Sequence, residues 1–223
     1  MLLDIKTGIL EQVDGSASFS FGPTKVITSV AGPLEITKSK NERPNSAFID
    51  LNIRPATGVP STREALLESR VLKVLESVID VSRYSLKQIQ INNQIVEPGE
   101  DSQYTVNELA AVINSTFIAL LDSGISLKAS FLASVCAIDE SHKLIVNPNE
   151  AQLRHSVSQH IVVFSLSDGK CNNLLYSDSK GKFTESEYLQ ALDDCSSEIE
   201  VQIPAVREFL VEKVKRDYVW KLK

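Results

Sequence analysis

No apolar run in the 223 residues approaches the roughly 18 that a membrane-spanning helix needs. The opening MLLDIKTGILEQ has no basic stretch leading into an apolar core, so no secretory leader is expected and a cytosolic or nuclear protein is the default. Cysteine is scarce: Cys136, Cys171 and Cys195 are odd in number and form no C-x-x-C pair. That argues against both a disulfide framework and a zinc site, and Cys136, inside FLASVCAID, reads as a core residue. His142, His155 and His160 have no metal-ligand spacing with each other or with cysteine, so they read as structural or surface residues and neither metal nor cofactor is expected. Positive charge is short too, with 23 Lys and Arg against 29 Asp and Glu and a net charge of −6. Phosphate contacts normally need a broad basic surface. Any nucleic-acid contact must therefore be a local patch or be completed by a partner. Solenoid periods and low-complexity segments are also absent.

What remains is the composition of an ordinary globular protein, 43% apolar and 23% charged. The chain is long enough for one sizeable core, read here as a single domain over residues 1–223. In SASFSF, Ala17, Phe19 and Phe21 alternate with serines, the period of a half-buried strand. Gly22-Pro23-Thr24 then turns the chain into the β-branched KVITSVAGP, predicting a hairpin, before a polar loop around Lys38 and Lys40. Ile49, Leu51 and Ile53 predict a further strand ending at Pro55. Ser61-Thr62-Arg63-Glu64 has the form of a capping box, followed by Leu67, Val71, Val74, Leu75 and Val78 at helical spacing. Ile89, Ile91 and Ile95 predict a strand. A second box, Thr105-Val106-Asn107-Glu108, opens a helix that Gly124 should stop. FLASVCAID, QHIVVFSL and NNLLY read as strands, with Asp168-Gly169 turning between the last two. The run around Asp178 lacks the ligands of a calcium loop and reads as a strand-to-helix connection. A third box, Thr184 to Glu187, opens a C-terminal helical region that Pro204 should interrupt or kink. Strands followed by helix, written twice, imply an α+β fold with helices packed on mixed sheets.

The string Gly15-Ser16-Ala17, Gly22, Thr24-Lys25-Val26, Ser29-Val30 and Gly32-Pro33 resembles the N-terminal signature of the RNase PH family. Arg54, Pro60-Ser61-Thr62-Arg63-Glu64 and Ala119 to Ile125 continue the match in order. The acidic charge, the Gly99-Glu100-Asp101 loop and Asn147-Pro148 resemble the eukaryotic exosome subunits within that family. The resemblance implies an RNase PH-like fold, akin to the second domain of ribosomal protein S5. It also implies a six-membered ring of RNase PH-like subunits threaded by RNA, capped by S1 and KH proteins, with hydrolytic nucleases attached, in nucleus, nucleolus and cytoplasm.

The family's phosphorolytic chemistry needs a Gly-Gly-Thr-Arg-like phosphate segment at a helix start and a pair of aspartates near a strand start. Here the first aligns with Val106-Asn107-Glu108-Leu109, so that Leu109 stands where the arginine belongs. Glu108 repels phosphate, and Glu100 and Asp101 add to that if their loop packs nearby. Gln152 and Ser158 align with the aspartates, and a slip to Ala151, Leu153, Val157 or Gln159 does no better, leaving Glu150 as the only carboxylate in the stretch. A non-catalytic subunit follows, the alternative being an active phosphate-dependent 3'-to-5' exoribonuclease. Arg54 and Arg63 match positions that contact RNA, against the plainer reading of surface arginines paired with Glu64 or Glu68. Six basic and three acidic residues from Arg207 to Lys223 read as a charged helix face, with Tyr218 and Trp220 as either interface anchors or core cover.

Overall fold

The computed structural model describes residues 4–217. The chain builds two sheets around one nearly buried helix. Strands β1 (Asp4–Thr7), β2 (Gly15–Phe21), β3 (Thr24–Glu35), β4 (Phe48–Arg54) and β5 (Lys87–Glu97) form the first sheet in the order β1-β2-β3-β5-β4. Its pairs are antiparallel except β4 with β5. That parallel pair is joined by helix α1 (Thr62–Val78), because parallel neighbours need a crossover. Helix α2 (Val106–Ser123) follows. Strands β6 (Ser130–Asp139), β7 (Leu144–Val146), β8 (Ser156–Ser167) and β9 (Lys170–Gly181) then form an antiparallel sheet in the order β7-β6-β8-β9. A five-residue helix α3 (Glu150–Arg154) precedes β8, and α4 (Glu185–Asp217) closes the described chain. This is the expected α+β arrangement.

Helix α2 lies between the sheets, touching β2, β3 and β5 on one side and β6 and β8 on the other. It is buried from Val106 to Leu120, and a continuous apolar core joins residues of both sheets to it. Gly15 is a packing glycine here, within a strand and not at a turn: a Cβ on it would sit 2.5 Å from the Ala119 carbonyl oxygen of α2. Asn93 replaces an apolar residue between Ile91 and Ile95. It is buried and accepts from Thr28 Oγ1 at 2.6 Å and Thr116 Oγ1 at 3.0 Å, tying both strands to α2.

Four sequence expectations need correction. β2 is buried on both faces, since Ser16 and Ser18 are covered as fully as Ala17 and Phe19. The segment ahead of the strand folds over it, with Ile9 and Leu10 donating to Ser16 Oγ at 2.9 and 3.0 Å. Pro204 does not interrupt α4; it and Glu200, whose carbonyl loses its partner, are both exposed, while Ile203 and Val206 are buried. The segment around Asp178 is strand and not connection, because β9 runs to Gly181. The Thr105 box is the fourth and is treated below. The boxes at Ser61 and Thr184 form, Gly124 takes a left-handed φ of 71° at the end of α2, and Cys136 is core, beside Cys195. Tyr218 and Trp220 lie outside the described residues.

Candidate anion site at the start of helix α2

Helix α2 begins where β5 hands over to the segment from Pro98 to Thr105. Gly99 turns that segment with a φ of +65°, close against Thr24; a Cβ there would lie 2.7 Å from the Thr24 backbone nitrogen. The turn sends Glu100 back over the helix start. Its carboxylate accepts from the backbone N–H of Glu108 at 2.9 Å and of Asn107 at 3.3 Å. Thr105 is the N-cap residue but makes no side-chain cap bond. The expected capping box is therefore replaced by a more distant carboxylate doing the same work, satisfying free donors at the positive end of the helix.

Glu108, freed from capping, reaches Arg63 at the start of α1, 2.6 Å from its guanidinium. Arg63 also meets Glu64 at 3.2 Å and donates to the backbone carbonyls of Ser102 at 3.1 Å and Tyr104 at 2.9 Å. Of the two readings of Arg63, these contacts favour the plainer one, a half-buried arginine paired with glutamate, with Glu108 as a partner beside Glu64. Glu64, Glu100 and Glu108 are all buried around a cavity of about 220 Å³ that Arg63 also lines. Burial pushes the Glu100 carboxyl up to about 7, against the pull of its two N–H bonds, and the nearby Glu108 carboxylate adds to the rise. Burial also raises Glu108, in part offset by Arg63.

Leu109, at the aligned arginine position, is a fully buried core residue. Asn107 Nδ2 donates to the Pro148 carbonyl at 2.9 Å, which brings the segment before α3 beside α2. Gln152 sits there in a reciprocal cap with Asn149, and Glu150 pairs with Arg154 at 2.6 Å. Ser158 is the exception. Its hydroxyl lies 3.0 Å from His160 Nε2, and the His160 ring packs on Phe183 and Tyr188, so both residues face α4 and point away from α2. The β8 side chain that does face the α2 start is Gln159, lining a cleft of about 290 Å³ with Thr105, Val106, Arg70, Asp178 and Lys180. Asp178 is bound to Arg70 at 2.9 Å. The alignment favoured Ser158 over its neighbour Gln159 because both faces of β8 are covered, so no polar alternation marks which residues share a face. Sequence reasoning allowed for Glu100 packing near the α2 start, as it does, but had no rule by which a carboxylate six residues ahead of the helix would cap it.

Arg54 ends β4 on the opposite, open face of the first sheet, beside Leu10, Ile27, Gln90 and Gln94. Among the described residues no carboxylate pairs with it. His142 lies exposed against Glu187, His155 caps α3, and His160 is buried between Ser158 and Ser179, its proton affinity lowered by burial. Chemically, the α2 start gathers three buried carboxyl groups against one half-buried arginine. Its two donating N–H groups are occupied, and its surroundings are negative.

Comparison with known proteins agrees with this architecture. The model of the 3' exoribonuclease family, domain 1 (RNase PH), matches residues 2–126. The chain is 35% identical over 219 residues to exosome complex component RRP46 of Saccharomyces cerevisiae, covering 96% of this chain and 97% of that protein. It is 31% identical over 211 residues to exosome complex component rrp46 of Schizosaccharomyces pombe, covering 93% and 88% respectively. The crystal structure of rice Rrp46 superimposes with a TM-score of 0.80 at 24% identity, over 92% of this chain and 93% of that one.

Proposed function

The chain belongs to the RNase PH family, and on that premise we propose that it is a non-catalytic ring subunit of an RNA exosome. In this reading it supports 3'-to-5' RNA processing and degradation by forming part of the RNA channel and docking partners. Those partners are other RNase PH-like subunits in a ring of six, S1 and KH cap proteins, and hydrolytic nucleases, in nucleus, nucleolus and cytoplasm. The ring role is supported by the two yeast relatives, whose names place them in the exosome.

One observation carries the non-catalytic part. The backbone donors opening α2, where a helix would bind an incoming phosphate, already hold the Glu100 carboxylate. An external anion would have to displace the Glu100 carboxyl group and approach Glu108 as well. Leu109, buried in the core, and Gln159, facing the α2 start, supply neither the arginine nor an acid, and Gln152 is used in a cap. Arg54 remains the residue proposed to touch RNA, since the guanidinium ends a strand on an open face.

The test is phosphorolysis. Given single-stranded RNA, inorganic phosphate and a divalent ion, neither the isolated chain nor the assembled ring should release nucleoside diphosphates through this subunit. Release that is abolished by Glu150→Gln or Gln159→Ala would establish the active exoribonuclease instead.

A further inference from the structure

A sheet edge carries a row of unpaired backbone groups, and folded proteins shorten, cover or interrupt such rows. Three of the four edges here are managed in that way. β1 has 4 described residues and β7 has 3. β4 is longer, but groups at both ends of its free edge are taken: Ala47 N–H donates to the Val81 carbonyl at 2.8 Å, and Ile53 N–H to Glu68 Oε1 at 2.8 Å.

β9 is different. It is 12 residues long and lies at the border of its sheet. The register shifts fall near Phe164, and beyond them pairing with β8 is unbroken from Val163↔Tyr176 to Ser158↔Gly181. Lys182 N–H donates to the Val157 carbonyl, which sets the alternation of the strand. Tyr176, Asp178 and Lys180 aim their backbone groups at β8, and Ser177, Ser179 and Gly181 turn theirs outward. Among the described residues nothing accepts from those three outward N–H groups. No proline breaks the strand.

The strand is also held straight from both faces. On one, Asp178 is bound to Arg70 of α1; on the other, Ser177 Oγ lies 2.7 Å from Tyr188 OH of α4. Exposed apolar side chains lie along it, Leu174 beside the register shift and Val157 of β8 with Phe183 at the far end. We infer that β9 is a docking edge that receives an extended backbone segment from a neighbouring RNase PH-like subunit, continuing the four-stranded sheet across the subunit boundary.

This inference rests on the ring reading above. Outward donors and acceptors alternating along roughly 20 Å of regular strand match another protein backbone and not a nucleic acid, whose phosphates offer acceptors only. The flanking apolar residues extend the contact toward the area that a stable interface requires.

The experiment is hydrogen–deuterium exchange on the intact chain, alone and in the reconstituted six-subunit ring. Amides of Ser177, Ser179 and Gly181 should exchange at least about tenfold more slowly in the ring. Two variants accompany it: Ser177→Ala keeps the outward N–H but loses the Tyr188 bond, and Ser177→Pro loses both. Ring incorporation should fall at least about tenfold for Ser177→Pro and stay at the wild-type level for Ser177→Ala. If Ser177→Pro unfolds the chain, exchange of the unmodified protein still decides. Failure of the wild-type chain to enter any ring would overturn the ring reading and this inference together. Entry into a ring with β9 amides exchanging as in the free chain would overturn the docking edge alone.

Discussion

Helix α1 starts at Ser61-Thr62-Arg63-Glu64 and helix α2 at Thr105-Val106-Asn107-Glu108, two strings in which a hydroxyl is followed three residues later by glutamate. At α1 the reciprocal box forms, with Glu64 Oε2 accepting from Ser61 N–H at 2.7 Å and Ser61 Oγ from Arg63 N–H at 3.2 Å. At α2 it does not: Glu108 turns to Arg63 and Glu100 takes the helix donors. At α1, Glu64 caps through one oxygen and meets Arg63 through the other, whereas at α2 the whole glutamate is drawn to Arg63. Arg63 belongs to the first helix start and draws the glutamate of the second. The two helix starts are thereby linked through one guanidinium.

The largest effect should come from trying to restore what α2 lacks. Leu109→Arg places a charge at a fully buried core position, and a loss of at least about 4 kcal/mol is expected, measured by urea denaturation. A soluble, folded variant of near wild-type stability would mean that the site can reopen after all.

Glu100 offers a pH test of the difference. Its folded value, about 7, lies above the ordinary 4.5, so the folded chain favours the protonated carboxyl. The stability this confers is fully present below pH 4.5 and is lost as pH rises through about 7. The change should amount to no more than about 3 kcal/mol. The difference in unfolding free energy between the wild type and Glu100→Gln, followed from pH 4.5 to 8, isolates that contribution. A difference that stays constant with pH would refute a buried carboxyl at the α2 start.

Glu108→Ala should cost about 2–3 kcal/mol. That is below the roughly 3–5 kcal/mol for breaking a fully buried pair, because Arg63 keeps contact with water. Its companion, Ser61→Ala at α1, removes an ordinary cap and should cost about 1 kcal/mol. Thermal denaturation of both sharpens the comparison, and equal costs would mean that the shared arginine adds nothing. Arg54→Ala should change stability by less than about 0.5 kcal/mol while weakening RNA crosslinking in the assembled ring.

Much of the fold was legible because its signals are local. The β2–β3 hairpin follows from Phe19, Phe21 and the Gly22-Pro23 turn, and α1 from Ser61, Glu64 and its Leu67-to-Val78 stripe. α3 was missed because five residues are too short to show a period, while β7 showed only as the strand end at Asn147-Pro148. Pro204 does not end the helix, since the cost of a proline depends on whether the freed carbonyl is buried, and Glu200, which carries it, is exposed. The site was legible in part. Leu109 could be read as a missing arginine and Gln152 as a missing acid, while Ser158 was chosen over Gln159 because only the sheet shows which residues of β8 face α2.

By itself, then, the sequence determined most of the segments that become strands and helices, since composition and periodicity act within a few residues along the chain; only its resemblance to the family implied that the usual phosphate-binding residues are missing from the start of α2. Tertiary structure alone decided what stands in their place. Glu100 folds onto the donors of α2, Glu108 crosses to Arg63, and the outward row of β9 is left unpaired. Each outcome depends on groups far apart in sequence competing for the same hydrogen bonds and charges, and that competition exists only once the sheets and helices have packed.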